Sequence, residues 1–252
     1  MNILVISMEP PIPTNSGARM YLYQRLKLLR KSNNVVLFSL VEGEKCDFDE
    51  SDYNEICNEF YFFNRGNKFK NYVKNVNLPY SIGSRSIKLL KESINNYISK
   101  NGVDIIYLTS IHMFDNLPLE RIRRDRIKVI LAQDNIEYLL FRDIASKESN
   151  LLKKIVYYVE SLRLEKFEMK VYKSGIFSGF TFISENDLTF FQNKIENNMK
   201  CVLIPPYVEE KFYKRNITNN KIIVCKRKII PTLTRKHHFV GTNCTIGIRK
   251  TA

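Results

Sequence analysis

Residues 1–31 read MNILVISMEPPIPTNSGARMYLYQRLKLLRK, and this stretch decides the fold. Ile3 to Met8 is a short apolar run without alternation, as expected of a strand buried on both faces. Pro10, Pro11 and Pro13 end it, because proline cannot donate to a sheet ladder. Beyond Gly17, the residues Met20, Leu22, Leu26, Leu28 and Leu29 fall among Arg25, Lys27 and Arg30 at helical spacing, reaching about Lys31. A strand, a loop and a helix in that order open a βαβ unit.

The pattern then repeats outward. Asn34 to Leu40 and Glu59 to Phe63 carry the same buried-strand signature; Ile87 to Ile98 reads as an amphipathic helix leading into a strand from Val103 to Thr109. Ile127 to Ala132 is a further strand, followed by a helix near Asn135 to Ser146 and a longer one from about Leu151 to Lys173. Phe177 to Ile183 and Cys201 to Ile204 add two short strands, separated by a helix starting at Ser184, which with Asp187 resembles a capping box. Strands alternating with helices predict the α/β class, with a mostly parallel sheet covered on both faces. Ligands of such sheets bind in the crevice at the carboxyl ends of the strands. That rule selects residues 9–19, 110–116, 133–138, 184–187 and 205–209.

Composition narrows the function classes. With 252 residues and 44% apolar content the chain can bury a full core. No apolar run approaches the roughly 18 to 20 residues that span a bilayer, and no basic segment precedes the first apolar stretch. A cytoplasmic protein is expected. The five cysteines, Cys46, Cys57, Cys201, Cys225 and Cys244, are scattered and lack CxxC spacing, which predicts reduced thiols and no metal site. The net charge of +14 suits nucleic acid or an anionic membrane. Residues 217–252, however, hold eight Lys/Arg and no Asp or Glu, leaving +6 on residues 1–216. No nucleic-acid partner is expected of a body so moderately basic.

Two segments carry the candidate chemistry. In Pro10-Pro11-Ile12-Pro13-Thr14-Asn15-Ser16-Gly17-Ala18-Arg19, proline stiffens the loop and Gly17 lets backbone approach a ligand. The helix N-terminus behind it offers free N–H groups to an anion such as a diphosphate. The bland reading is a plain strand-to-helix turn. The segment matches neither GxGxxG nor GxxxxGK[ST], which disfavours a dinucleotide-dependent oxidoreductase or a P-loop. In Gln133-Asp134-Asn135-Ile136-Glu137-Tyr138, polar groups at a strand end can accept hydrogen bonds from sugar hydroxyls. Alternatively Asp134 or Asn135 caps the next helix, with Glu137 in its first turn.

Weaker signals have two readings as well. His112 either meets a substrate or is a solvated loop histidine. Leu152, Ile155, Val156, Val159 and Leu162 form one helical stripe among Lys153, Lys154, Arg163, Lys166 and Lys170, which either packs on the sheet or lies on anionic lipid. Cys225, His237, His238 and Cys244 fit no standard zinc spacing.

Strand one with PPxPxxSGAR, a strand followed by DNIEY, Ile183-Ser184-Glu185, and VLIPPYVEEKF at 202–212 resemble, in order and spacing, the N-terminal half of family 4 glycosyltransferases of the GT-B fold. The resemblance covers about 210 residues. It implies a Rossmann-like acceptor-side domain over residues 1–216, the N-terminal half of two domains that face each other across a cleft. It implies retaining transfer from a nucleotide sugar, a substrate rather than a cofactor, to a glycan or lipid-linked acceptor in cell-surface polysaccharide synthesis, usually without a metal. Ser16, Gly17 and Arg19 fall in the loop near the donor diphosphate or acceptor. His112, Asp134, Asn135, Glu137, Ser184 and Glu185 fall toward the cleft and acceptor. Asp134 stands where many members carry histidine, and Pro206-Tyr207-Val208-Glu209 stands where Asn-Gly-Val-Asp is usual.

The two donor-binding glutamates of the family's C-terminal domain have no counterpart, so no catalytic residue is assigned and the chain alone is expected to be inactive. Residues 217–252 are expected to be a disordered or aberrant basic tail, such as out-of-frame translation, in place of the donor domain. The localisation implied is cytoplasmic, with peripheral contact at the inner face of the membrane. The competing reading is a non-enzymatic Rossmann-like module whose basic surface holds nucleic acid or membrane.

Overall fold

The computed structural model describes residues 1–43, 50–195 and 199–206. Among these, seven strands form one sheet: β1 (Asn2–Ser7), β2 (Asn34–Val41), β3 (Glu59–Asn64), β4 (Ile105–Leu108), β5 (Lys128–Gln133), β6 (Phe177–Phe182) and β7 (Lys200–Leu203). Every pairing is parallel, in the order β3-β2-β1-β4-β5-β6-β7. The chain winds outward from β1 to β3, returns to β1's other side and winds outward again. The reversal places a switch point between β1 and β4. All seven strands coincide with the apolar runs read from the sequence.

Both sheet faces are covered, as a parallel sheet requires. Alternate residues of β1 show it: Leu4 and Ile6 join Leu90, Ile94, Ile106 and Tyr172 on one face, while Ile3 and Val5 join Leu22, Leu26, Tyr53 and Tyr107 on the other. Helices α5 (Lys88–Lys100) and the end of α8 (Leu151–Tyr172) supply the first face; α1 (Gly17–Arg30) and α2 (Glu50–Asn54) supply the second. Helices α3 (Lys68–Lys74), α4 (Tyr80–Gly83) and α6 (Leu119–Arg124) and a 3-10 turn (Ile111–Asn116) fill the connections. They are too short to show a periodic stripe in sequence. Helix α7 (Glu137–Lys147) lies antiparallel to α8, with an Arg142–Glu165 ion pair of 2.8 Å between them, and α9 (Glu185–Lys194) follows β6.

Three expectations are corrected here. In α1 the apolar Leu28 is 53% exposed whereas Arg25 is buried. The stripe of α8 does not pack on the sheet, since Leu152, Ile155, Val156, Val159 and Leu162 are all exposed. Neither Asp134 nor Asn135 caps α7, whose N-cap is Ile136, with no side-chain hydrogen bond. The expected strand at Lys221 to Cys225, the tail at 217–252 and Tyr207 to Glu209 lie outside the described residues.

Glu160 locks α8 to the short helices. Its buried carboxylate accepts from the N–H of Tyr80 (3.1 Å), the N–H of Ser81 (2.9 Å) and the Ser81 hydroxyl (2.9 Å). Truncation would strand three donors at the start of α4, and each buried orphan costs about 1 to 3 kcal/mol. Glu160→Ala is therefore expected to lower stability by about 3 kcal/mol, with Glu160→Gln retaining part of it, as denaturant melts of the two variants would read.

Candidate functional site

The loop after β1 brings Glu9 back toward the start of α1. Ser16 caps that helix by accepting from the Arg19 N–H (3.3 Å), and its first turn holds no acidic residue. The unpaired N–H groups there carry the partial positive charge of the helix end. Apart from its chain neighbours and the backbone of α1 itself, no atom lies within 4 Å of the point where a Cβ on Gly17 would stand. Arg19 does not project freely: its Nε donates to Glu9 Oε2 at 2.8 Å and Nη1 to Asn15 Oδ1 at 3.4 Å. Glu9 thus offsets its charge.

One turn further along α1, Tyr21 and Arg25 face inward. The Arg25 guanidinium lies over the Tyr21 ring at 3.8 Å, its Nη2 donates to the Tyr21 hydroxyl, and its Nη1 stands 4.0 Å from Asp134 Oδ1. Tyr21 in turn donates to the carbonyl of Ile204, so the segment after β7 is tied across the sheet edge to α1. Burial pushes the Tyr21 hydroxyl up to about 12, against the opposing pull of Arg25. Ser7, Met8 and Glu9 from the end of β1, Ala18, Tyr21 and Arg25 from α1, Thr109 after β4 and Asp134 after β5 line one recess of about 30 Å³. It sits at the switch point. A larger hollow of about 190 Å³ lies at the opposite, amino-terminal edge, lined by Asn2, Asn34, Glu59 and Asn101, away from these groups.

A second cluster follows the carboxyl ends of β4 and β5. His112 is 6% exposed and not a solvated loop residue, which corrects that reading. Its backbone N–H donates to Ser110 Oγ (3.3 Å), and the same hydroxyl is hydrogen-bonded to His112 Nδ1 at 2.9 Å. Nε2 stands 3.8 Å from Glu137 Oε2. Burial, then the nearby Arg85 and Arg65 charges, hold the His112 pKa down at about 3, so the ring is neutral and the contact is no ion pair.

Glu168 explains why the strand-end polar residues are not spent on capping. Its buried carboxyl, reaching up from α8, accepts from the Tyr138 N–H at 3.3 Å and from the Tyr172 hydroxyl at 3.2 Å, and Gln133 donates to that hydroxyl. Burial, then the charge of Glu137, raise its pKa well above the usual carboxylate value. With α7 capped from below, Asp134 turns to Arg25.

The remaining candidates divide. Asn135 is half-buried between Asp134 and the start of α7. Ser184 is the N-cap of α9, accepting from the Asp187 N–H at 3.5 Å, and Glu185 is exposed in the first turn. Both sit at the end of β6, beside β5, and neither lines the recess. The sequence reading missed Tyr21, Arg25 and Glu168. The first two share the core-facing side of α1 at i, i+4 spacing, a signal masked because apolar periodicity does not register an arginine. Among the described residues no three His, Cys, Asp or Glu gather as a metal site, and no helix is long and apolar enough to cross a membrane.

No protein-family model matches this chain. It is 25% identical over 217 residues to an "Uncharacterized 44.6 kDa protein in cps region" of Klebsiella pneumoniae, covering 85% of this chain and 53% of that protein. Among solved structures it is similar to Medicago truncatula UGT71G1 complexed with UDP-glucose, with TM-score 0.50 and 11% identity over 83% of this chain and 52% of that one. Phytolacca americana UGT2, complexed with UDP-2fluoro-glucose and pterostilbene, has TM-score 0.49 and 12% identity over 84% and 56%. The chain spans about half the length of the relatives it matches. Its fold is one Rossmann-like half of the GT-B glycosyltransferase architecture.

The buried histidine has a measurable signature. In the unfolded chain it takes a proton near pH 6.5, whereas the folded chain keeps it neutral down to about 3. The unfolded state therefore binds more protons in that window, and stability falls as pH falls. Glu168, with its pKa raised, contributes the opposite trend, losing stability as pH rises, but does so in wild type and variant alike. Relative to His112→Asn, wild-type stability should drop by about 1.4 kcal/mol per pH unit below pH 6.5. Parallel denaturant melts from neutral to acid pH check this.

Proposed function

We propose that this chain is the acceptor-side domain of a family 4 nucleotide-sugar glycosyltransferase. In the whole protein, a sugar passes with retention of configuration from a nucleotide sugar to a glycan or lipid-linked acceptor in cell-surface polysaccharide synthesis. The observation that carries this reading is the recess at the carboxyl ends of β1, β4 and β5, where Ala18 of the first turn of α1 and the Arg25–Asp134 contact come together, one residue on from the open position at Gly17. The cps region of the Klebsiella pneumoniae relative and the UDP-glucose held by the Medicago truncatula enzyme support it.

The groups suit the chemistry. The N-terminal N–H groups of α1 meet a diphosphate without a side chain in the way, and no carboxylate in that turn opposes it. Arg25 faces Asp134 along the side of the recess, where the Asp134 carboxylate can accept hydrogen bonds from sugar hydroxyls. Arg19, satisfied by Glu9, shapes the loop and leaves anion contact to the backbone.

Calorimetry with UDP-glucose and with a glycan-lipid acceptor, on wild type, Gly17→Leu and Asp134→Asn, tests the reading. Gly17→Leu should leave the melting temperature within a few degrees, because its side chain enters open space. It should nonetheless weaken ligand binding tenfold or more by filling the approach to the helix end, and Asp134→Asn should weaken acceptor binding by roughly the same factor, the loss of a charge-assisted hydrogen bond. Salt-sensitive nucleic-acid affinity unaffected by either substitution, with no nucleotide-sugar or acceptor binding, would replace this reading by the non-enzymatic basic module.

A further inference from the structure

Helix α8 is inverted over its first half. The face it buries carries Glu160, Ser161 and, further on, Leu164 and Glu168, while Leu152, Ile155, Val156, Val159 and Leu162 stand exposed, Leu152 at 76% and Val156 at 64%. Leu151 and Tyr158 extend the exposed area. A surface helix of a water-soluble domain ordinarily shows the reverse distribution.

A second element, distant in sequence, continues this surface. Helix α3 buries none of its residues, and Phe69 (67% exposed), Val73 and Val76 recur at i, i+4 and i+7 along it and its C-terminal extension. Arg163 of α8 fixes the two together: Nη1 donates to the Tyr72 hydroxyl at 2.7 Å, and Nη2 to the carbonyls of Val76 and Leu78 at 2.5 Å each. The Glu160 hydrogen bond to Tyr80 closes the same seam. Arg163 thus joins α8 to the C-terminal end of α3, and the exposed aliphatic residues of the two elements exceed the scattered single hydrophobes that any surface carries.

Charge selects the occupant. Residues 60–91 and 149–159 contain no Asp or Glu. Lys70 and Lys74 on α3, and Lys153 and Lys154 on α8, are exposed and make no ion pair among the described residues. Lysines beside exposed aliphatic residues match the boundary between anionic headgroups and acyl chains. A two-fold contact with a second copy would instead set like charges against each other. We infer that the α3–α8 surface docks this protein on an anionic lipid bilayer, lying on it rather than crossing it. Helix α7 begins three residues after Asp134, so the α7–α8 pair leaves from the same sheet edge as the recess. This deepens the proposed function, on which it rests for the lipid-linked nature of the acceptor.

Flotation of the full 252-residue chain with vesicles, without nucleotide, tests the surface independently of the recess. Wild type should bind phosphatidylcholine vesicles containing phosphatidylglycerol, should release from them as salt is raised, and should pass over pure phosphatidylcholine. Leu152→Asp/Val156→Asp should lower partitioning tenfold or more with an unchanged melting temperature, since both positions are exposed, and it leaves residues 217–252 intact. Replacing Lys70, Lys74, Lys153 and Lys154 by glutamine should abolish the preference for the anionic lipid. No binding by wild type, equal binding to neutral vesicles, binding retained in the aspartate pair, or self-association relieved by that pair would each overturn the inference. Nucleotide-sugar binding by calorimetry reports on the recess alone, so a failure of the proposed function shows there and not in flotation.

Discussion

Hydrogen bonding of β1 to β2 on one side and β4 on the other is the constraint from which the site follows. Ile3 pairs with Val35 and with Ile105, and Ile6 with Phe38 and Leu108, so the strand has no free edge and must be apolar on both faces. The connections leaving β1 and β4 diverge to opposite sides of the sheet. Between them the carboxyl edge is left uncovered by either crossover, and there the chain places Glu9, Ala18, Arg25, Thr109 and Asp134. The recess is a consequence of strand order before it is a consequence of any side chain.

The fold was legible because its strands are continuous apolar runs. Ile3 to Met8, Ile127 to Ala132 and Phe177 to Ile183 each mark a buried strand to within a residue or two. What the sequence hid were interactions between elements that periodicity does not describe. The expectation that Asp134 or Asn135 caps α7 assumes that a helix is capped by its own neighbours. Glu168 does this from a helix thirty residues on, and a carboxyl that reaches across a tertiary contact leaves no local mark. The inward turn of Arg25 is hidden for the same reason, since only the fold shows that its partners are Tyr21 and Asp134.

Burial, more than charge, sets the character of the polar groups beneath the edge. The chain carries +14, yet His112 is neutral because burial disfavours its charged form and Arg85 and Arg65 repel its proton. Glu168 tends to its neutral form in the same interior, with Glu137 adding to the effect. Two titratable groups are thus pushed toward neutrality from opposite directions, one by losing a proton and one by keeping it.

Helix α8 shows why amphipathicity alone misleads. Its apolar stripe and its buried face lie on different sides of one cylinder, so a reading that equates apolar with inward assigns the wrong side. The polar residues turned inward are there for defined partners: Glu160 for the start of α4, Glu168 for the start of α7. Two helix starts therefore depend on carboxyls from a single helix, which fixes its rotation about its own axis. Once that rotation is set by hydrogen bonding, the aliphatic stripe has no core to enter and must face outward. The exposed apolar surface is then the counterpart of the polar interior, and both follow from where α8 puts its two glutamates.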